Sequence, residues 1–101
     1  MNSGNLSDHI IQQYEKDEKM MILIFAQWCI NQDLDPQKVY SKAYPQQGEN
    51  SVLKDVMELT VSKEEAGEID NNVLLGVLSA FGNDDLAFAV TKEIQEGKKK
   101  K

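Results

Sequence analysis

The chain contains no arginine, and only one histidine, one cysteine and one tryptophan among its 101 residues. Each scarcity narrows what it can do. Without arginine there is no planar, bidentate group to grip guanine edges, phosphates or carboxylates. One cysteine forms no internal disulfide, and Cys29 with His9 falls short of the four ligands of a structural zinc site. No metal or cofactor is expected. Prolines number two, Pro36 and Pro45, so helices have room to run. Long apolar runs are also missing. The most hydrophobic stretch, residues 20–30 (MMILIFAQWCI), is interrupted by Gln27 and is well short of the roughly 20 apolar residues a membrane span needs.

What is present is acid. The net charge is −6, and the four terminal lysines at 98–101 mask part of it, so the preceding 97 residues carry −10. Nucleic-acid binding draws its affinity from Lys and Arg neutralising phosphates, and an acidic body opposes that. At 41% hydrophobic and 28% charged, the composition is that of a folded domain rather than a disordered tail. A domain of this length buries about 60–70% of its unfolded surface, enough for one modest core and little room for a deep enclosed pocket. The opening MNSGNLSDH has neither the basic nor the apolar region of a signal peptide, so a cytoplasmic protein is expected.

The pattern predicts an all-α domain over 1–97, a bundle of about five helices around a long N-terminal one, with a frayed lysine tail at 98–101. Ile10, Ile11, Tyr14, Met21, Ile22, Phe25, Trp28 and Cys29 share one face of a helix over 7–31, capped by Ser7 or Asn5. Its second half, with Met20, Leu23, Ile24 and Ile30 on the other sides, is expected to be buried all round. Asp35-Pro36 is a strong helix start, and the second helix runs to about Ala43. Asn50 or Ser51 caps a third, whose Val52, Leu53, Val56, Met57, Leu59 and Thr60 follow the spacing of a buried face that fades near Val61. Ser62 and Glu65 fit a capping box over one short turn that Gly67 ends. Asp70 caps a fourth helix over 71–81. Gly82 closes it, Asn83 caps the fifth, and that runs to about Glu96, making a helical hairpin. No alternating strand pattern appears.

Few residues offer chemistry. Residues 24–29 (IFAQWC) resemble the active-site approach of thioredoxin-like proteins, where an apolar strand leads into a Trp-Cys pair. The resemblance implies a redox thiol at Cys29. It stops there: the second cysteine falls on Gln32, the intervening Gly-Pro on Ile30-Asn31, and no late proline exists to face the thiol. A buried Cys29 acting as a small hydrophobe is the bland alternative. His9 follows Asp8 directly, and neighbours in sequence point apart on a helix, so it is read as a solvated first-turn residue. Glu18 lies by helical angle within the apolar stripe, either at a pocket mouth or where the stripe leaves the core. The acidic group Glu64, Glu65, Glu68 and Asp70 lacks the EF-hand spacing and reads as a solvated loop. Residues 62–66 (SKEEA) resemble the opening of a helix-turn-helix, but the turn glycine falls on Asp70 and the next helix has no Lys or Arg to meet DNA.

Surface contact remains. On the last helix Leu86, Ala87, Val90 and Ile94 form a core stripe, while Phe88 points the other way. The expectation is a non-enzymatic module that binds a protein partner or itself through the C-terminal hairpin, with Phe81, Phe88 and Lys92 at the contact. No nucleic acid, membrane or small-molecule substrate is expected. The alternatives are a small enzyme or redox protein using Cys29, and an acidic regulator that occupies a basic protein surface.

Overall fold

A computed structural model describes the backbone of residues 2–47 and 50–99 and the side chains of residues 17–47 and 50–97. Six helices and no strand are found among them: α1 (Asn2–Asn31), α2 (Pro36–Ala43), α3 (Ser51–Met57), α4 (Lys63–Ala66), α5 (Asn71–Ala80) and α6 (Asp84–Lys99). The all-helical class agrees with the pattern of the sequence.

Local chemistry sets most of the helix starts. The Asp35 carboxylate accepts from the Gln37 N–H at 2.9 Å, and Pro36 is fixed at the first helical position. Asn50 accepts from Leu53 N–H, Ser62 from Glu65 N–H and Asp70 from Asn72 N–H. Two ends share one device. The Asn83 N–H reaches back to the Leu78 carbonyl and Gly82 N–H to Ser79, with Gly82 at φ 72. At the end of α1 the Leu34 N–H bonds to Cys29 and Asp33 N–H to Ile30, and Asp33 holds φ 61, a conformation natural to glycine.

The core gathers Met21, Ile22, Phe25, Trp28 and Cys29 of α1 with Val39, Leu53, Val56, Leu74, Leu78, Leu86 and Val90. α1 packs against α2, α3, α4 and α5, while α6 is held by α2 and α5. Along the described part of α1, exposure drops abruptly between Met20 and Met21. Asp17, Glu18, Lys19 and Met20, a complete helical turn, are all exposed, and Met21 is 2% exposed.

Several expectations need correction. α1 starts at Asn2, so Asn5 and Ser7 lie within it and do not cap it. The side chains of His9, Ile10, Ile11 and Tyr14 lie outside the described residues. The second half of α1 is not buried all round: Met20 is 55% exposed, and Leu23, Ile24 and Ile30 are half-buried. α3 stops at Met57 and leaves Leu59 exposed rather than in the core. The reason lies on α1. The Gln27 side-chain amide accepts from Val61 N–H and donates to Val61 C=O, both at 2.9 Å, which captures that backbone in a non-helical conformation. Asn83 does not cap α6 with its side chain. It accepts from the Tyr44 hydroxyl at 3.0 Å and donates to the Met21 sulfur, tying α1, α2 and the α5–α6 turn together. α6 continues past Glu96 and Gly97 to Lys99, and residues 100–101 lie outside the described part.

Candidate functional site

The C-terminal half of α1 carries a row of polar side chains that face inward and hold the segment between α3 and α5. Besides gripping Val61, Gln27 donates to Asn31 Oδ1 at 3.1 Å. Asn31 Nδ2 in turn donates to the Gly67 carbonyl, and the Trp28 indole N–H donates to Asn71 Oδ1 at 2.8 Å. Among the described residues no buried polar side-chain atom is left without a hydrogen-bond partner. The clasp's own groups are taken up in holding the chain, a positional role. A polar groove of about 530 Å³ opens beside it, lined by Gln32, Glu68, Asn72 and Gln95 among others. Two further lining groups, Asp70 and Asn71, are already occupied in capping α5 and in holding Trp28.

Cys29 sits in the core at 0% exposure. Burial pushes its thiol far up from the ordinary range, and the negative charges of Glu93 and Asp35 push it further the same way. A thiol so placed is protonated at neutral pH and is not a nucleophile. Glu18 is exposed on α1 and lines neither the α2–α6 groove nor the polar groove beside the clasp. No group of three or more His, Cys, Asp or Glu among the described residues could hold a metal ion.

The surface residues are arranged differently from the hairpin drawn from sequence. Phe81 is the C-cap of α5 and packs partly buried against the core. Phe88 is 64% exposed on α6, with the Lys92 ammonium 5.4 Å from its ring centre. The groove beside them, of about 440 Å³, runs between α6 and α2 and does not include Phe81. Ala43 and Ala89 contribute small apolar walls, and Asp85, Lys92 and Glu96 the charged rim. Across its floor the Lys42 ammonium meets the Glu93 carboxylate at 2.8 Å, linking α2 to α6. The hydrogen bond and charge of Glu93 raise the Lys42 pKa, so that lysine stays charged throughout the physiological range. Sequence reasoning found Phe88 and Lys92 but not Lys42 or Glu93. Only the acidic residue facing the core side of α6, Glu93 between Val90 and Ile94, hinted at a partner.

Comparison with known proteins places the chain among relatives. The family model described as YxiS matches residues 2–95, nearly the whole of the sequence. The chain belongs to the YxiS family. The Uncharacterized protein YxiS of Bacillus subtilis (strain 168) is 52% identical over 86 residues, covering 84% of this chain and 90% of the relative. No solved structure matches. The YxiS match takes in every core residue named above, α2, α3, α5 and the α2–α6 groove except Glu96. Among the described residues no helix is long and apolar enough to cross a membrane.

Proposed function

We propose that this YxiS-family chain is a non-enzymatic protein-binding module whose contact surface is the outer face of α6, centred on Phe88 and flanked by the α2–α6 groove. One observation carries the reading: Phe88 is a large aromatic left 64% exposed beside an apolar-walled groove with charged rims. Aromatic anchors set in a polar rim are the recurrent composition of protein interfaces. Other exposed apolar side chains among the described residues, Met20, Leu59, Val61 and Val73, stand on α1, the α3–α4 connection and α5, and do not line this groove. The frame that presents this face is read as a bundle built around α1, supported by the contacts α1 makes with α2, α3, α4 and α5. The acidic body fits a cytoplasmic protein that meets other proteins rather than nucleic acid.

A photo-crosslinking residue placed at Phe88, with one at exposed Leu59 as control, tests the reading in living cells. A protein adduct at position 88 that Leu59 does not give is the expected result. Equal labelling at both, in a protein shown to be folded by circular dichroism, would remove α6 as the contact face.

A further inference from the structure

We infer that the occupant of the α6 face is a second copy of this chain, packed antiparallel across α6 about a two-fold axis between Phe88 and Ala89. This rests on the reading of α6 as a contact surface and names its partner. Asp85, Phe88, Lys92 and Glu96 recur at the three- and four-residue spacing of one helix face, and all four line the same groove. The order of charges along that face is acid, aromatic, base, acid. A two-fold contact must be self-complementary, because the same patch meets itself in reverse.

Asp85, Phe88 and Lys92 satisfy that condition, while Glu96 falls beyond the paired stretch, opposite position 81 before the start of α6. With the axis between Phe88 and Ala89, Asp85 and Lys92 lie at equal heights on either side of it, each about 5 Å along the helix at 1.5 Å rise per residue. Reversal therefore sets each Asp85 opposite the other copy's Lys92, twice by symmetry. It also sets Phe88 opposite Ala89, a large side chain against a small one. The groove of about 440 Å³ beside Ala89 and Ala43 is where the second ring enters. Its volume is in the range that holds small organic ligands, ample for one phenyl group. Lys92, already over its own Phe88 ring, lies at the edge of that pocket. A parallel contact instead places Asp85 against Asp85 and Lys92 against Lys92, and repels. A contact built on one helix and its flank is small, so the pair is expected to exchange with monomer rather than form an obligate dimer.

The test is sedimentation equilibrium on the full chain, up to about 1 mM, the weak end of specific association. The mass is expected to rise with concentration from 11.4 kDa toward twice that value. Asp85→Lys alone and Lys92→Asp alone are each expected to weaken association about tenfold or more, since each turns two attractive pairs into repulsive ones. The double variant, which swaps the charges, is expected to regain it. A wild-type chain that stays monomeric throughout overturns the inference. So does association that the double swap fails to restore while circular dichroism shows it folded. The two readings separate cleanly. Monomeric protein with a crosslink from position 88 to another protein removes the second copy and keeps the surface, whereas no crosslink at 88 removes both.

Discussion

Replacing Gln27 with methionine isolates the clasp that ends α3. Met has nearly the same length and keeps the apolar stem of a side chain that is 9% exposed. It removes the paired bonds to Val61 N–H and C=O and the bond to Asn31 Oδ1. Each hydrogen bond contributes about 0.5–1.5 kcal/mol net. Val61 is 42% exposed, so water recovers part of its loss and the lower half of that range applies. The three together amount to about 2 kcal/mol. At about 2.1 cal/mol/K per residue, a chain of this length loses close to 10 °C in Tm. Thermal unfolding by circular dichroism reads it, and amide exchange at Val61 is expected to accelerate in parallel. Gln27→Glu adds a control with a sign. Burial raises a carboxyl's folded pKa above its unfolded value of about 4.3. The protonated acid has one donor and one acceptor and reproduces the pairing with Val61. Its stability contribution is therefore present below about pH 4.3 and disappears as pH rises through the raised folded value. Measured against wild type at each pH, the Glu variant is expected to be closer at pH 4 than at pH 8. A methionine variant within about 2 °C of wild type, or a glutamate deficit equal at both pH values, would refute the clasp as a source of stability.

Cys29 is expected to resist a thiol reagent in the native protein and to react fully once denaturant is added, as its complete burial requires; rapid native labelling would reopen a redox role. Asp33→Gly is expected to raise stability by up to about 1 kcal/mol, because glycine relieves the left-handed residue that closes α1. The Lys63–Asp33 pair it removes is exposed and worth little, so a fall in Tm would show that the pair matters more than the backbone. Asn71→Ala orphans the Trp28 indole N–H and is expected to destabilise by about 1–3 kcal/mol, read by tryptophan fluorescence during urea unfolding. An unchanged midpoint would show that water takes the place of Asn71.

What was legible in the sequence was short-range. Asp35, Asn50, Ser62 and Asp70 bond to amides two or three residues ahead, so each cap can be read without knowing the fold. The misreadings involve partners far along the chain. The end of α3 is decided by Gln27, 34 residues earlier, and the side chain of Asn83 is drawn to Met21, 62 residues away. The Lys42–Glu93 pair, 51 residues apart, moved the candidate groove from the α5–α6 hairpin to the α2–α6 boundary. Helical periodicity around residues 20–30 showed how much apolar surface α1 carries, but not how many neighbours would cover it. Met20 stayed outside for that reason.

The apolar stripe of α1 has a consequence in time. Met21 to Cys29 are made about 60 residues before Leu86, Ala89 and Val90, which complete the same core. At ribosomal speeds of about 5–20 residues per second, that gap lasts about 3–12 s. Through it, a nascent α1 presents Phe25 and Trp28 without their full set of neighbours. Chains halted before Leu86 are therefore expected to be cut readily by protease and bound by chaperones, and those halted after α6 to resist both. In this molecule α1 waits for α6 before the core they share is complete.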